Sequence, residues 1–299
     1  MKKLTSRSVL FFIAIGCLYF AGVAAILYPM ISNVVSLSTS RTTISDYTRT
    51  VEKLDNSEIT ETLADARKYN EDIFNNIYHD GLEKCLCNDD GLMCYIDIPT
   101  VNVYLPVYYG AGDEALSKGC GFIENTSLPV GGESTHAVIS GHTGLPTAEM
   151  FTNLDRISVG EVFYIHVLDQ VLAYKVNKII VVHPSDVTDL AIVPGEDLVT
   201  LITCTPYGIN DKRLLVRGVR VPYEPEEPVT DQQPELQADS DPVDDALAKE
   251  IRHQITVISA IAVAAVILYI FALIWLISSS HKPKHIATPE GQNVTQKTD

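Results

Sequence analysis

The sequence predicts a mainly β domain, an antiparallel barrel or sandwich, carried between two membrane-spanning helices. Three observations predict it. Short β-type runs broken by Gly and Pro recur at 95–98, 103–109, 136–139, 162–167, 171–182, 198–203 and 213–221, a spacing typical of all-β folds. Two uncharged apolar runs of 23 residues, 9–31 and 255–277, frame the chain, and about 20 such residues cross a bilayer core. Between the first run and the β region lies a single helical pattern.

In chain order, residues 1–8 carry Lys2, Lys3 and Arg7 ahead of the first apolar run. His281, Lys282 and Lys284 follow the second, in the tail 278–299. Positive flanks stay cytoplasmic, so both tails are expected inside and the middle outside. The run 9–31 is longer than the ~7–15 residue core of a cleaved signal peptide. Val23-Ala24-Ala25 still resembles a cleavage site, and a retained anchor is the favoured reading. The run 255–277 includes Tyr269 and Trp275 and reads as a transmembrane helix.

Residues 32–56 are polar and rich in Ser and Thr. A helix is then predicted to open at Ser57. Ile59, Leu63, Ala66, Tyr69, Ile73 and Ile77 repeat at three and four, which makes one apolar stripe. Ser57 with Thr60 and Glu61 forms a partial capping box. Asp80-Gly81 marks the expected end, since Gly commonly follows a C-cap. This region and the loop after it make an external segment, 32–92, ahead of a β domain at 93–223. A short helix is predicted at 147–154. Residues 224–250 hold 10 of the 38 acids, one Lys, and prolines at 225, 228, 234 and 242. Such a segment buries too little apolar surface to fold alone and reads as an extended acidic stalk.

The 299 residues carry a net charge of −16 and no basic stripe, which argues against nucleic acid as a partner. Cys17 lies in the first apolar run, and Cys85, Cys87, Cys94, Cys120 and Cys204 lie outside it. Five external thiols are too few for a disulfide scaffold of this size, and their odd number leaves one for intermolecular pairing or for chemistry. Cys85, Cys87 and Cys94 with His79 lack the paired spacing of a zinc site.

Cys204 ends an apolar run and enters the turn Thr205-Pro206-Tyr207-Gly208. A thiol at a strand end can face a cleft, and a nearby imidazole can take its proton or pair with the thiolate. His142, in Ser140-Gly141-His142-Thr143-Gly144, ends another apolar run. His136 and His166 compete with it. Arg213 begins the next apolar run, where a guanidinium can supply charge and donors to a developing oxyanion. Arg217 shares a strand face with Arg213, and Arg220 is a further alternative.

Thr203-Cys204-Thr205-Pro206-Tyr207-Gly208, followed by Arg213-Leu214-Leu215-Val216-Arg217-Gly218, resembles the active-site strand pair of the sortase transpeptidases, closest to the pilin-polymerising class C group. Thr126-Ser127-Leu128-Pro129-Val130-Gly131-Gly132-Glu133-Ser134-Thr135-His136 and Ser140-Gly141-His142-Thr143-Gly144-Leu145-Pro146-Thr147 resemble the histidine region of that group. Ile98-Pro99, Leu105-Pro106-Val107-Tyr108 and Lys118-Gly119-Cys120-Gly121 fall where the family has its early strands.

The resemblance implies an eight-stranded sortase-type β-barrel with short helices, preceded by the helical segment and flanked by the two transmembrane helices. It implies Cys204 as nucleophile, His142 as acid/base, Arg213 as oxyanion-side arginine and Thr203 as a groove-lining, substrate-binding residue. The implied partners are pilin subunits with LPxTG-like sorting signals and a pilin Lys nucleophile. The implied place is the cell membrane of a Gram-positive bacterium, with two spans and the catalytic domain facing the wall. No metal or organic cofactor is required. The alternatives are a general wall-anchoring sortase, a non-enzymatic pilus scaffold, and a two-barrel cysteine protease. Class C enzymes commonly close the cleft with a lid bearing an Asp-Pro-aromatic triplet. The matching stretch, 78–93, has no such triplet and carries Cys85, Cys87, Asn88, Asp89 and Asp90 instead. A disulfide from Cys85 or Cys87 to Cys94, Cys120 or Cys204 would make a redox latch there. Leu128-Pro129-Val130-Gly131-Gly132 looks like a sorting signal but reads as a structural loop, because no apolar run and basic tail follow it directly.

Overall fold

Alternating apolar side chains on eight strands close a barrel. The computed structural model describes residues 6–77, 84–224 and 242–279. The strands are β1 (Leu92–Ile98), β2 (Val103–Tyr109), β3 (Cys120–Phe122), β4 (Thr135–Ser140), β5 (Val162–Val167), β6 (Gln170–Val182), β7 (Asp197–Thr205) and β8 (Lys212–Val221). They run β1-β2-β3-β4-β7-β8-β6-β5, and β5 closes on β1. Two pairs, β2–β3 and β4–β7, are parallel and the others antiparallel. The all-antiparallel expectation is corrected at those two pairs, where the intervening chain crosses over instead of turning back as a hairpin.

One face of each strand fills the barrel. Ile96, Val107, Phe122, Ile139, Phe163, Ile165, Tyr174, Leu201 and Val216 are buried together there. The helix α2 (Asn56–Phe74) adds Ile59, Leu63, Ala66 and Tyr69 to the same core. The outer face of β1 and β2 is covered as well: Ile44 and Tyr47 of α1 (Ser6–Val51) meet Leu92, Tyr95, Tyr104 and Tyr108. That double cover explains why all seven residues of β1 are buried. A six-residue helix, α3 (Asp113–Lys118), carries the crossover from β2 to β3.

The described residues form two units, 6–25 with 256–279, and 26–255. In the first, the apolar parts of α1 and α4 (Pro242–Ser279) pack together. The Tyr19 hydroxyl donates to the Ala265 carbonyl at 2.9 Å, and the Tyr19 and Tyr269 rings stack at 5.6 Å. Both helices are long and apolar enough to cross a membrane.

Several elements differ from the sequence reading. The Ser/Thr-rich stretch after residue 31 continues α1 to Val51, because its apolar residues Leu37, Ile44, Tyr47 and Val51 land on the tyrosines of β1 and β2. The α2 cap is Asp55, not Ser57: Asp55 accepts from the Ser57 and Glu58 amides while Glu58 reaches back to the Asp55 amide. The helix ends at Phe74, and Asp80-Gly81 lie outside the described residues. Residues 147–154 form turns, with a 3-10 turn only at Leu154–Arg156. Their amides are committed elsewhere, Glu149 to the Asn33 side chain and Phe151 to the His142 carbonyl. Of the expected stalk, 225–241 lie outside the described residues, and 242–250 are the first turns of α4. Pro242 at the helix start supports that beginning, since its fixed φ suits the first helical position.

A candidate active site at the ends of three neighbouring strands

Strand alternation sorts the side chains of β4, β7 and β8 before any distance is needed. Ala137 and Ile139, Val199 and Leu201, and Leu214 and Val216 enter the core. His136 and Ser140, Thr200 and Cys204, and Arg213 and Arg217 therefore occupy the outer face. Cross-strand register then fixes their level. Cys204 stands directly opposite Arg213, and Thr200 opposite Arg217. On the other flank Ser140 pairs with Ile202, and the Gly141 amide donates to the Ile202 carbonyl at 3.0 Å. β4 ends at Ser140, so His142 lies two residues past the strand, in the loop that leaves it at this end of the sheet. Cys204 and Arg213 thus stand opposite each other on β7 and β8, and His142 is carried by the loop that follows the adjacent strand β4. All three residues are partly exposed there, while Thr200 and His136, deeper on the same face, are buried.

The loop that carries His142 is held tightly. The Thr203 hydroxyl donates to the Gly141 carbonyl at 2.8 Å, and the Phe151 amide to the His142 carbonyl at 2.9 Å. A Cβ on Gly141 would lie 2.6 Å from the buried Phe151 ring, so only glycine fits. Tyr207, from the β7–β8 turn, packs beside Gly144 of the same loop. Arg213 Nη1 donates to the Asn210 and Lys212 carbonyls at 3.3 and 3.0 Å, which anchors the guanidinium on that turn. Thr203 itself is buried on the core side, with its hydroxyl spent on Gly141.

The rival residues lie elsewhere. His136 is fully buried, with Nδ1 2.9 Å from the Ala191 carbonyl and Nε2 2.7 Å from the Thr200 hydroxyl. His166 is on β5, three strands from β7, and stacks on Tyr95 at 4.4 Å. Arg217 is about 13 Å along the strand from Arg213 and donates to the Asn177 side chain. Arg220 lies over the Tyr174 ring.

Cys17, Cys85, Cys94, Cys120 and Cys204 carry free thiols. Cys94 and Cys120 face the barrel interior, where burial first and a neighbouring thiol second push both well above the ordinary thiol range. Burial, then Asp65 and Cys87, push Cys85 up to about 12. The latch expected from Cys85 or Cys87 is absent among the described residues, and 78–83 lie outside them. Leu128 and Val130 of the signal-like stretch are buried, and Leu128 is bonded at both backbone atoms to Asn70, as a structural loop would be. A cavity of about 1170 Å³ between α1 and the barrel is lined by Tyr47, Leu54, Cys87, Leu92 and Tyr108, and holds none of the three site residues.

Residues 96–221 match the Sortase domain family model. A sortase C of Clostridium perfringens, solved with its C-terminal cell wall sorting motif, is 47% identical over 61% of this chain and 99% of its own, with a TM-score of 0.58. The chain belongs to the sortase family. Sortase C1 of Streptococcus agalactiae is 38% identical over 61% of this chain and all of its own, with a TM-score of 0.59. Sortase A of Staphylococcus aureus is 37% identical over 135 residues, 42% of this chain and 64% of that one. This sortase spans 45 to 64% of the length of the curated relatives it matches. Its solved neighbours carry the class C designation, in line with the resemblance read from the motifs, and its eight-stranded closed barrel is the sortase fold.

Proposed function

We propose that this sortase is a membrane-anchored cysteine transpeptidase that joins pilus subunits. The pairing of Cys204 with Arg213 across β7 and β8, with the loop that bears His142 leaving the neighbouring β4, supports the reading. The Cys204 thiolate attacks the carbonyl carbon of Thr in an LPxTG-like sorting signal. The guanidinium of Arg213 has five N–H donors and stabilises the oxyanion with those not held by its turn. As the Thr–Gly bond breaks, imidazolium at His142 gives its proton to the leaving amine, and a thioester remains on Cys204. The Lys amine of a second pilin then attacks that thioester, the C–S bond breaks as the isopeptide bond forms, and His142 takes the amine proton, which restores the thiolate and the imidazolium. Thr203 serves the groove from beneath, by fixing Gly141 and so the exit of His142 from β4. No step calls on a metal or organic cofactor. The apolar helices at 9–31 and 255–277 anchor the chain, the positive tails stay in the cytoplasm, and the barrel faces the wall.

The test mixes the full chain, in detergent, with a sorting-signal peptide and a Lys-bearing acceptor. Mass spectrometry is expected to find a ligated product lighter by the released tail and heavier by the acceptor, and Cys204→Ala is expected to abolish it. Ligation persisting in Cys204→Ala would refute the assignment. A free carboxylate as the sole product, with acceptor in excess, would make the chain a protease. Transfer to wall-type amines but never to Lys would make it a general anchoring sortase.

A further inference from the structure

The outer face of β4, β7 and β8 is open at Cys204 and closed deeper in. Thr200 is 1% exposed and His136 0%, although neither points into the barrel. What covers them is the connection between β6 and β7, residues 183–196. Its 3-10 turn Thr188–Leu190 lies over β6, where Asp189 pairs with Lys178. Its far end is tied to the start of β4 by the Gly195 amide on the Ser134 hydroxyl and the Thr135 amide on the Glu196 carbonyl. Between those ties, the middle of the connection is held by the His136 imidazole.

That imidazole is over-determined. A carbonyl can only accept, so the contact to Ala191 places the proton on Nδ1. Nε2 then accepts from the Thr200 hydroxyl. The backbone of His136 is bracketed as well: its amide donates to the Ser127 hydroxyl, and its carbonyl accepts from the Ser127 amide. Floor strand β4, floor strand β7 and the covering connection thus meet at one ring. His136 pairs with Leu198, six residues before Cys204, about 20 Å along the strand. That is too far for contact with the thiol, but it is where the open face ends.

We propose that His136 is a positioning residue, pinning the β6–β7 connection over the sheet and so setting the closed end of the groove that receives the acyl-donor peptide. This rests on the transpeptidase reading for its substrate, not for the pin itself. The groups facing the ring are Arg217 on β8, Asp189 on the connection, and Lys178 on β6, which is paired to Asp189. Burial, above all, holds the imidazole below its ordinary range, with Arg217 adding to it against the Ala191 bond and Asp189. The pinned form is neutral. With the folded value below the unfolded one of about 6.5, the pin is intact above that pH and is lost as pH falls toward the folded value.

The experiment compares the full chain with His136→Phe, which keeps a ring but strands both partners, and with His136→Asn, whose amide can still donate to Ala191. His136→Phe is expected to raise KM for the sorting-signal peptide about tenfold, with kcat and the alkylation rate of Cys204 by iodoacetamide unchanged. Amides 186–195 are expected to exchange faster with deuterium in His136→Phe, and His136→Asn to restore part of both effects. As pH falls below the ordinary imidazole range, toward the lowered folded value, the wild type should show a rise in KM that His136→Asn lacks. Thr200→Val, a gentler cut of the same contact, is expected to move KM and exchange in the same direction if His136→Phe folds poorly. Unchanged exchange in these variants would overturn the pin. Faster exchange with unchanged KM would overturn its link to the groove. A parallel fall in Cys204 alkylation would mean that His136 acts on the thiol instead. If the wild type transfers no acyl group at all, the functional reading fails, and the exchange arm still decides the pin.

Discussion

At the residue scale, sequence periodicity identifies a face but not a level. Residues 213 and 217 have the same parity and share one side of β8, whereas 136 lies on β4 and 142 in the loop beyond it. Choosing between Arg213 and Arg217 requires the cross-strand register, which the β7–β8 turn sets by placing Cys204 against Arg213 and Thr200 against Arg217. The motif resemblance favours Arg213, the residue that the register sets opposite Cys204. Arg213→Lys is therefore expected to lower kcat for transfer about 10²-fold, because a point charge replaces the planar fork beside a developing oxyanion. Arg217→Lys, two levels deeper, is expected to leave kcat unchanged, and steady-state kinetics on both variants checks the contrast. A second residue argument concerns Gly141. Its missing Cβ leaves room for the Phe151 ring, which would otherwise stand 2.6 Å away. Gly141→Ala must displace either the ring or the His142 backbone. The expected result is a fall in kcat of about 10²-fold, since small misplacements of a catalytic group are costly, with Cys204 still open to alkylation.

At the scale of elements, strong local patterns were legible and compromises were not. Seven of the strands were readable, because each alternates or runs apolar over several residues. The three-residue strand Cys120–Phe122 was not, since it is too short to show a period and owes its place to β2 and β4. The apolar stripe of α2 was legible, and Ile59, Leu63, Ala66 and Tyr69 are buried as it requires. Its cap was read two residues late. Ser57 was read as the cap, although Asp55 with Glu58 three residues on carries the box spacing in the sequence as well. Asn70 lies on the same helix and shows what the stripe cannot: a polar group buried for a tertiary contact. Its side chain donates to the Leu128 carbonyl at 3.0 Å and accepts from the Leu128 amide at 2.6 Å. Asn70→Ala would leave both backbone groups buried and unsatisfied, at a cost of about 1–3 kcal/mol each. Chemical denaturation is expected to show a lower midpoint with an unchanged slope. No loss of midpoint would mean that water replaces the amide.

At the scale of the whole molecule, the two helices long and apolar enough to cross a membrane, with positive charge flanking them, carry the proposed two-span arrangement. Cysteine positions make this testable with a membrane-impermeant maleimide on intact cells. Cys204 is partly exposed at the open end of the sheet, so it is expected to react from outside. Cys94 and Cys120 are 0% exposed in the barrel core and are expected to stay unlabelled until the fold is opened. Cys17 lies in the apolar part of α1, where a charged reagent does not reach in a bilayer. The tails carry no thiol, and new ones can be placed there. In a chain with Cys85, Cys87 and Cys204 changed to Ser, Lys2→Cys and Lys297→Cys are both expected to react only after permeabilisation. Labelling of either one in intact cells would break the two-span arrangement: at position 2 it inverts the first helix, and at position 297 the second. Labelling of neither tail, together with Cys204 unreactive until permeabilisation, would put the catalytic face on the cytoplasmic side, where no wall-bound acceptor is within reach.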